Sequence, residues 1–260
     1  MVDLPKTVID SGGNKPALVF LHGFCESKQV WEQFTQPLQI AYRVILLDLP
    51  GFGDNTALPT DYTMESFADY VQEVLINLNI NKCVLIGHSM GGYIGLAFAE
   101  KFPEMLLGLC LFQSSALPDS AEKKQNRDRT IAFIQKHGLD KFMDTFVAPL
   151  FYEGNRDKNH QAIQLLAQIG KQGNPEGIIR TVAGMRDRPD RTKVLENIPC
   201  PVLFIAGKQD TAVTLAQTLE QCYLPQIAHT LFLDQTGHMG MFEQPDQTLK
   251  ALTGFVFSLL

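Results

Sequence analysis

Cys83-Val84-Leu85-Ile86-Gly87-His88-Ser89-Met90-Gly91-Gly92 is the stretch on which the reading of this 260-residue chain turns. Four apolar residues, the length of a buried strand, run into G-x-S-x-G, and a helical pattern follows at once over 90–101. A strand that passes into a helix within three residues needs a sharp, strained turn, with the serine oxygen exposed at its apex. Glycines two before and two after the serine remove the Cβ atoms that such a turn would crowd. The helix start beyond it offers free N–H groups and the positive end of a dipole to a developing oxyanion.

Outward from this point, apolar runs of strand length alternate with helical patterns. Strands are expected at 17–21, 43–47, 83–86, 106–112, 202–206 and 230–233, and helices at 28–39, 64–78, 90–101, 214–221 and 245–259. The runs are continuously apolar rather than alternating, as in strands covered on both faces. The expected fold class is α/β, a doubly wound and mostly parallel sheet. Between 116 and 190 the alternation stops. Four helical patterns, 121–136, 139–146, 159–171 and 175–185, follow one another, punctuated by Gly138, Gly154, Gly173 and Pro175. The expected organisation is a core of 1–115 and 191–260 with an inserted helical cap at 116–190, over the carboxyl edge of the sheet where open α/β sheets bind ligands.

The formal net charge is −6, which disfavours nucleic acid as a partner. The 116–190 segment carries +2 and the remainder −8. Solvated helix faces explain that contrast. A sharper explanation is that an arginine such as Arg127, Arg180 or Arg186 faces an anionic group of the substrate. The N-terminus has no basic stretch leading into an apolar one, and no apolar run approaches the ~18 residues of a membrane span. Five cysteines, with no C-x-x-C, suggest neither a metal nor a redox pair. Reduced thiols in a cytoplasmic setting, with no cofactor and no metal, are the expectation.

A serine hydroxyl becomes a nucleophile only when a base takes its proton. Among six histidines, His238 lies in a glycine-flanked loop just past the last expected strand, where it can reach Ser89. His22 and His88 flank motif positions and read as packing or hydrogen-bonding residues. The acid that orients the histidine should also follow a strand. Asp210 does, Asp234 is a rival four residues before His238, and Asp48 reads better as a loop-fixing carboxylate in Asp48-Leu-Pro-Gly-Phe-Gly53. Two N–H donors are needed for the oxyanion. Met90 follows the serine, and Phe24 follows Leu21-His22-Gly23 at the end of the first strong strand. Trp31 and Met239 are candidate pocket residues. Cys25 is expected to pack rather than react.

Leu21-His-Gly-Phe24, Asp48-Leu-Pro-Gly-Phe-Gly53, Gly87-His-Ser-Met-Gly-Gly92, Gly207-Lys-Gln-Asp210 and Gly237-His238 together resemble the α/β-hydrolase superfamily, over residues 18 to 244. The resemblance implies the chain order Ser89, Asp210, His238 for a catalytic triad, with Phe24 and Met90 N–H groups as the oxyanion hole. Serine at 89, where haloalkane dehalogenases and epoxide hydrolases carry aspartate, argues against those two activities. The implied activity is hydrolysis of small carboxylic esters or lactones through an acyl-enzyme. Carbon–carbon bond hydrolysis, enol-lactone hydrolysis and pyruvate elimination of the menaquinone-pathway kind use the same residues. A small-molecule receptor with little turnover is the non-enzymatic alternative.

Overall fold

The computed structural model describes residues 4–59 and 61–259. Seven strands form one sheet: β1 (Val8–Asp10), β2 (Ala17–Leu21), β3 (Arg43–Leu47), β4 (Cys83–His88), β5 (Leu106–Phe112), β6 (Val202–Gly207) and β7 (Ala228–Leu233). Their spatial order is β1-β3-β2-β4-β5-β6-β7. All neighbours are parallel except β1, which pairs antiparallel with β3. Every residue of β2, β4 and β6 is buried, which is what their unbroken apolarity requires of strands covered on both faces.

The helices are α1 (Leu4–Thr7), α2 (Gln29–Thr35), α3 (Met64–Asn77), α4 (Met90–Lys101), α5 (Ala121–His137), α6 (Leu139–Phe146), α7 (His160–Lys171), α8 (Pro175–Asp187), α9 (Thr192–Asn197), α10 (Leu215–Leu219), α11 (Gly240–Glu243) and α12 (Pro245–Leu259). In the core, α3 packs on α4, α4 lies on β2, β4 and β5, and α12 lies on β5, β6 and β7. The four helices α5 to α8 all fall between β5 and β6 and pack on one another, α5 against α8 and α6, and α6 against α7.

The short helices α1 and α11 lie outside the expected elements, and three further details depart from the sequence reading. Strand β1 was not foreseen, because three residues ending in Asp10 and followed by Ser-Gly-Gly carry no apolar run. The helix expected over 28–39 stops at Thr35 and continues as a tighter turn over Gln36–Ile40, with Pro37 at its start. Proline has no N–H to extend an α-helix. Helix α9, six residues with one buried side chain, Leu195, was too short to show a period. The remaining strands match their expected positions to within two residues.

Candidate active site

Strand β4 delivers Ser89 to the turn before α4. The Ser89 backbone sits at φ +49°, a left-handed conformation that a side chain rarely adopts. It is pinned on both sides. Ser89 N–H donates to the Phe112 carbonyl at 3.0 Å, and the Ser89 carbonyl accepts from the Ser114 hydroxyl at 2.7 Å and from Gly92 N–H at 3.0 Å. A Cβ on Gly87 would collide with the Gly91 carbonyl, and a Cβ on Gly91 with the Leu21 carbonyl. The two glycines are therefore required by close backbone approach, as the motif implied.

The loop after β6 carries Asp210 and the loop after β7 carries His238. Asp210 is buried, and its Oδ1 accepts from Ala212 and Val213 N–H at 2.8 and 2.9 Å. Its Oδ2 lies 2.7 Å from His238 Nδ1. A carboxylate can only accept, so His238 Nδ1 bears the proton and Nε2 is left to act as a base. Asp234, the rival acid, instead forms an exposed pair with Lys208 at 2.7 Å. Asp48 is a loop-fixer as expected. It accepts from Lys28 N–H at 2.7 Å and Asp54 N–H at 2.9 Å, and it pairs with Lys28 Nζ at 2.5 Å.

Ser89 and His238 line the same cavity, of about 780 Å³, together with Phe24 and, from the helical segment, Phe146, Leu150 and Met185. Phe24 and Met90 N–H groups have no backbone acceptor among the described residues. Met90 is the first residue of α4, where such donors are left over by helix geometry. Trp31 and Met239 do not line this cavity. Trp31 is fully buried in the core, ringed by Phe20, Phe34, His88 and Phe112 at centroid distances of 5.2 to 6.3 Å. Met239 is likewise fully buried. Burial pushes the Cys25 thiol well up, with the Glu26 charge adding to it, so this cysteine packs rather than reacts.

His88, expected to pack or hydrogen-bond, and three residues that the sequence did not single out hold these loops. Glu26 is buried and accepts from Gly23 N–H at 2.7 Å, fixing the loop that carries Phe24. Both Glu26 oxygens lie 3.1 Å from His88 Nδ1, and His88 Nε2 lies 2.9 Å from the His238 carbonyl. Both partners of the ring are acceptors, so both ring nitrogens must donate and His88 is an imidazolium. Burial works against that charge. The Glu26 charge and hydrogen bond, the His238 carbonyl and Asp210 together outweigh it and hold the His88 pKa above its ordinary value. Burial likewise opposes the Glu26 carboxylate, but the His88 charge and hydrogen bond, Gly23 N–H and His22 hold its pKa below the ordinary value.

Gln113, just past β5 at φ +52°, donates to the Gly237 carbonyl and accepts from Gly240 N–H at 2.8 Å, clasping the His238 loop from both ends. Glu243 is buried beneath the same loop. Its Oε1 accepts from Gly237 and Met239 N–H at 2.9 and 3.3 Å. Its Oε2 accepts from Tyr152 N–H and the Asn155 amide, both at 3.0 Å. His238 N–H itself donates to the Leu150 carbonyl at 2.6 Å. The histidine loop is therefore bonded directly to the segment between α6 and α7.

Fold and site together define the class. The family model for the alpha/beta hydrolase fold matches residues 16–245, and the chain belongs to that family. A thermophilic esterase from Thermogutta terrifontis, solved with malate bound, superposes with a TM-score of 0.90 at 30% identity, over 97% of this chain and 93% of that one. A Bacillus subtilis protein bearing the provisional name 2-succinyl-6-hydroxy-2,4-cyclohexadiene-1-carboxylate synthase is 30% identical over 97% of this chain and 94% of its own length. The 3-oxoadipate enol-lactonase 2 of Acinetobacter baylyi is 28% identical over 89% of this chain and 85% of its own.

Proposed function

We propose that this chain is a serine hydrolase of small carboxylic esters or lactones. His238 Nε2 takes the Ser89 proton, and the serine oxygen attacks the ester carbonyl. The Phe24 and Met90 N–H groups receive the oxyanion. The alcohol leaves with the proton from His238, giving an acyl-enzyme on Ser89. A water deprotonated by the same imidazole then releases the acid. Asp210 fixes the tautomer and stabilises the imidazolium in both halves. The observation that carries this reading is the 2.7 Å Asp210–His238 contact, made by an imidazole that shares its cavity with a strained serine. The relatives support it, since they include an esterase and an enol-lactonase.

Residues 116–190 serve, in this reading, as a cap over the carboxyl ends of the strands, and the cavity between cap and core takes the substrate. The bonds from Leu150, Tyr152 and Asn155 to the His238 loop and Glu243 support that role. The five free cysteines suit a reducing compartment, and we place the enzyme in the cytoplasm. The test is turnover of p-nitrophenyl acetate. Ser89→Ala lowers kcat by ~10³-fold or more. A variant as fast as the parent overturns the assignment.

A further inference from the structure

Resting on the ester-hydrolase reading, and naming the substrate class within it, we propose that Arg127, Lys123 and Tyr93 form an anion subsite in the Ser89 cavity. Its ligand is an ester or lactone that carries a free carboxylate away from the scissile bond.

The argument begins with one buried acid. Asp119 is 4% exposed and meets three cations. Arg188, itself buried, binds it at 2.7 Å through Nη1. The same Nη1 also donates to the Met185 carbonyl and Nη2 to the Leu117 carbonyl, Nε has no partner among the described residues, and the guanidinium lies 4.0 Å over the Tyr93 ring. Arg188 and Asp119 thus neutralise one another. Arg127 reaches the same carboxylate through Nε alone, at 3.0 Å. Lys123 Nζ is 4.0 Å from it and donates to the Ala212 carbonyl at 2.8 Å. Two positive charges are left over, and both side chains line the cavity that contains Ser89.

The other acids that line the cavity do not cancel this surplus. Glu26 is matched by the His88 imidazolium. Glu122 and Glu220 border the cavity but are exposed, where solvent and salt screen them.

Tyr93 supplies the second, independent sign. It is 3% exposed and lines the cavity, yet its hydroxyl has no hydrogen-bond partner among the described residues. Burial alone would raise its pKa, but the charges of Arg188, Lys123 and Arg127 outweigh burial and lower it. A potential that favours a phenolate favours a ligand carboxylate at the same place. The free guanidinium edge of Arg127 offers the forked donor geometry that a carboxylate accepts, and the phenol adds a third donor.

The experiment compares monoethyl succinate with diethyl succinate, which differ by one charge. The wild-type kcat/KM favours the monoester about tenfold, and Arg127→Gln cuts that preference by about tenfold, as does Lys123→Met. Arg180→Gln, an exposed arginine of the same segment paired with Glu176, leaves the preference unchanged. Equal use of the two esters by the wild type, or an undiminished preference in both cavity variants, overturns the subsite and leaves the hydrolase reading standing. Hydrolysis of neither succinate ester nor p-nitrophenyl acetate overturns the hydrolase reading instead. Calorimetric binding of succinate to Ser89→Ala, with and without Arg127→Gln, then decides the subsite by itself. An affinity lowered about tenfold by Arg127→Gln upholds it, and an unchanged or absent affinity sinks it.

Discussion

His88 and His238 meet ring to backbone. The His88 Nε2 lies 2.9 Å from the His238 carbonyl, and the two rings are 4.9 Å apart between centroids. The elbow histidine, one residue before Ser89, thereby holds the loop of the proposed base, while its other nitrogen holds Glu26 beneath the loop that carries Phe24. One buried imidazolium sets the distance between two of the three loops on which chemistry would depend.

Stability should carry a pH signature of this pair. The Glu26 pKa is lowered in the fold, so its contribution is present above the ordinary value of 4.5 and is lost as pH falls through the folded value. The His88 pKa is raised, so its contribution is present below 6.5 and is lost as pH rises through the folded value. Glu26→Gln is expected to cost about 3 kcal/mol between those limits and less in alkali. Urea midpoints at a series of pH values check this. A cost that grows above neutrality contradicts the pairing.

Asp210→Asn keeps the side-chain shape but lets the amide donate to His238 Nδ1, which favours the wrong tautomer. The expected loss in kcat on p-nitrophenyl acetate is ~10³–10⁴-fold. Asp234→Asn, which breaks only an exposed pair with Lys208, should leave kcat within about twofold. Reversal of the two results would assign the acid to position 234.

Glu243→Gln replaces one acceptor oxygen with a donor facing N–H groups. The expected cost is about 2 kcal/mol in urea denaturation. A lower kcat should accompany it, because the His238 loop loses its support. A variant as stable and as active as the parent would show that the four bonds to this carboxylate do not matter.

Trp31→Phe tests the separation of core from cavity. Trp31 is fully buried, its indole N–H has no partner among the described residues, and it does not border the Ser89 cavity. Removing an unsatisfied donor offsets part of the lost packing, so about 1 kcal/mol is expected in stability, with KM unchanged. A large change in KM would return Trp31 to the pocket.

Legibility followed the physics of each residue. Ser89 was readable because its turn demands glycines at fixed offsets, and the strands because burial on both faces demands apolar runs. Asp210 and His238 were readable from their places after strands and from chain order. Glu26, Gln113 and Glu243 were not, because each is a single polar residue with no motif around it and partners far away in sequence. Glu26 meets a ring 62 residues on, and Gln113 a carbonyl 124 residues on. His88 was readable as a hydrogen-bonding residue but not as a cation, since its charge follows only from finding acceptors on both sides. Trp31 looked like a pocket residue because aromatic character does not reveal which side of a helix faces ligand.

The bonds from Leu150, Tyr152 and Asn155 to the histidine loop have a practical corollary for anyone grafting new helices onto this core. A chimera that exchanges residues 116–190 for those of a relative replaces part of the scaffold that holds the His238 loop. Such a graft has to rebuild an acceptor for His238 N–H and donors for Glu243, or the transplanted pocket will arrive beside a misaligned imidazole.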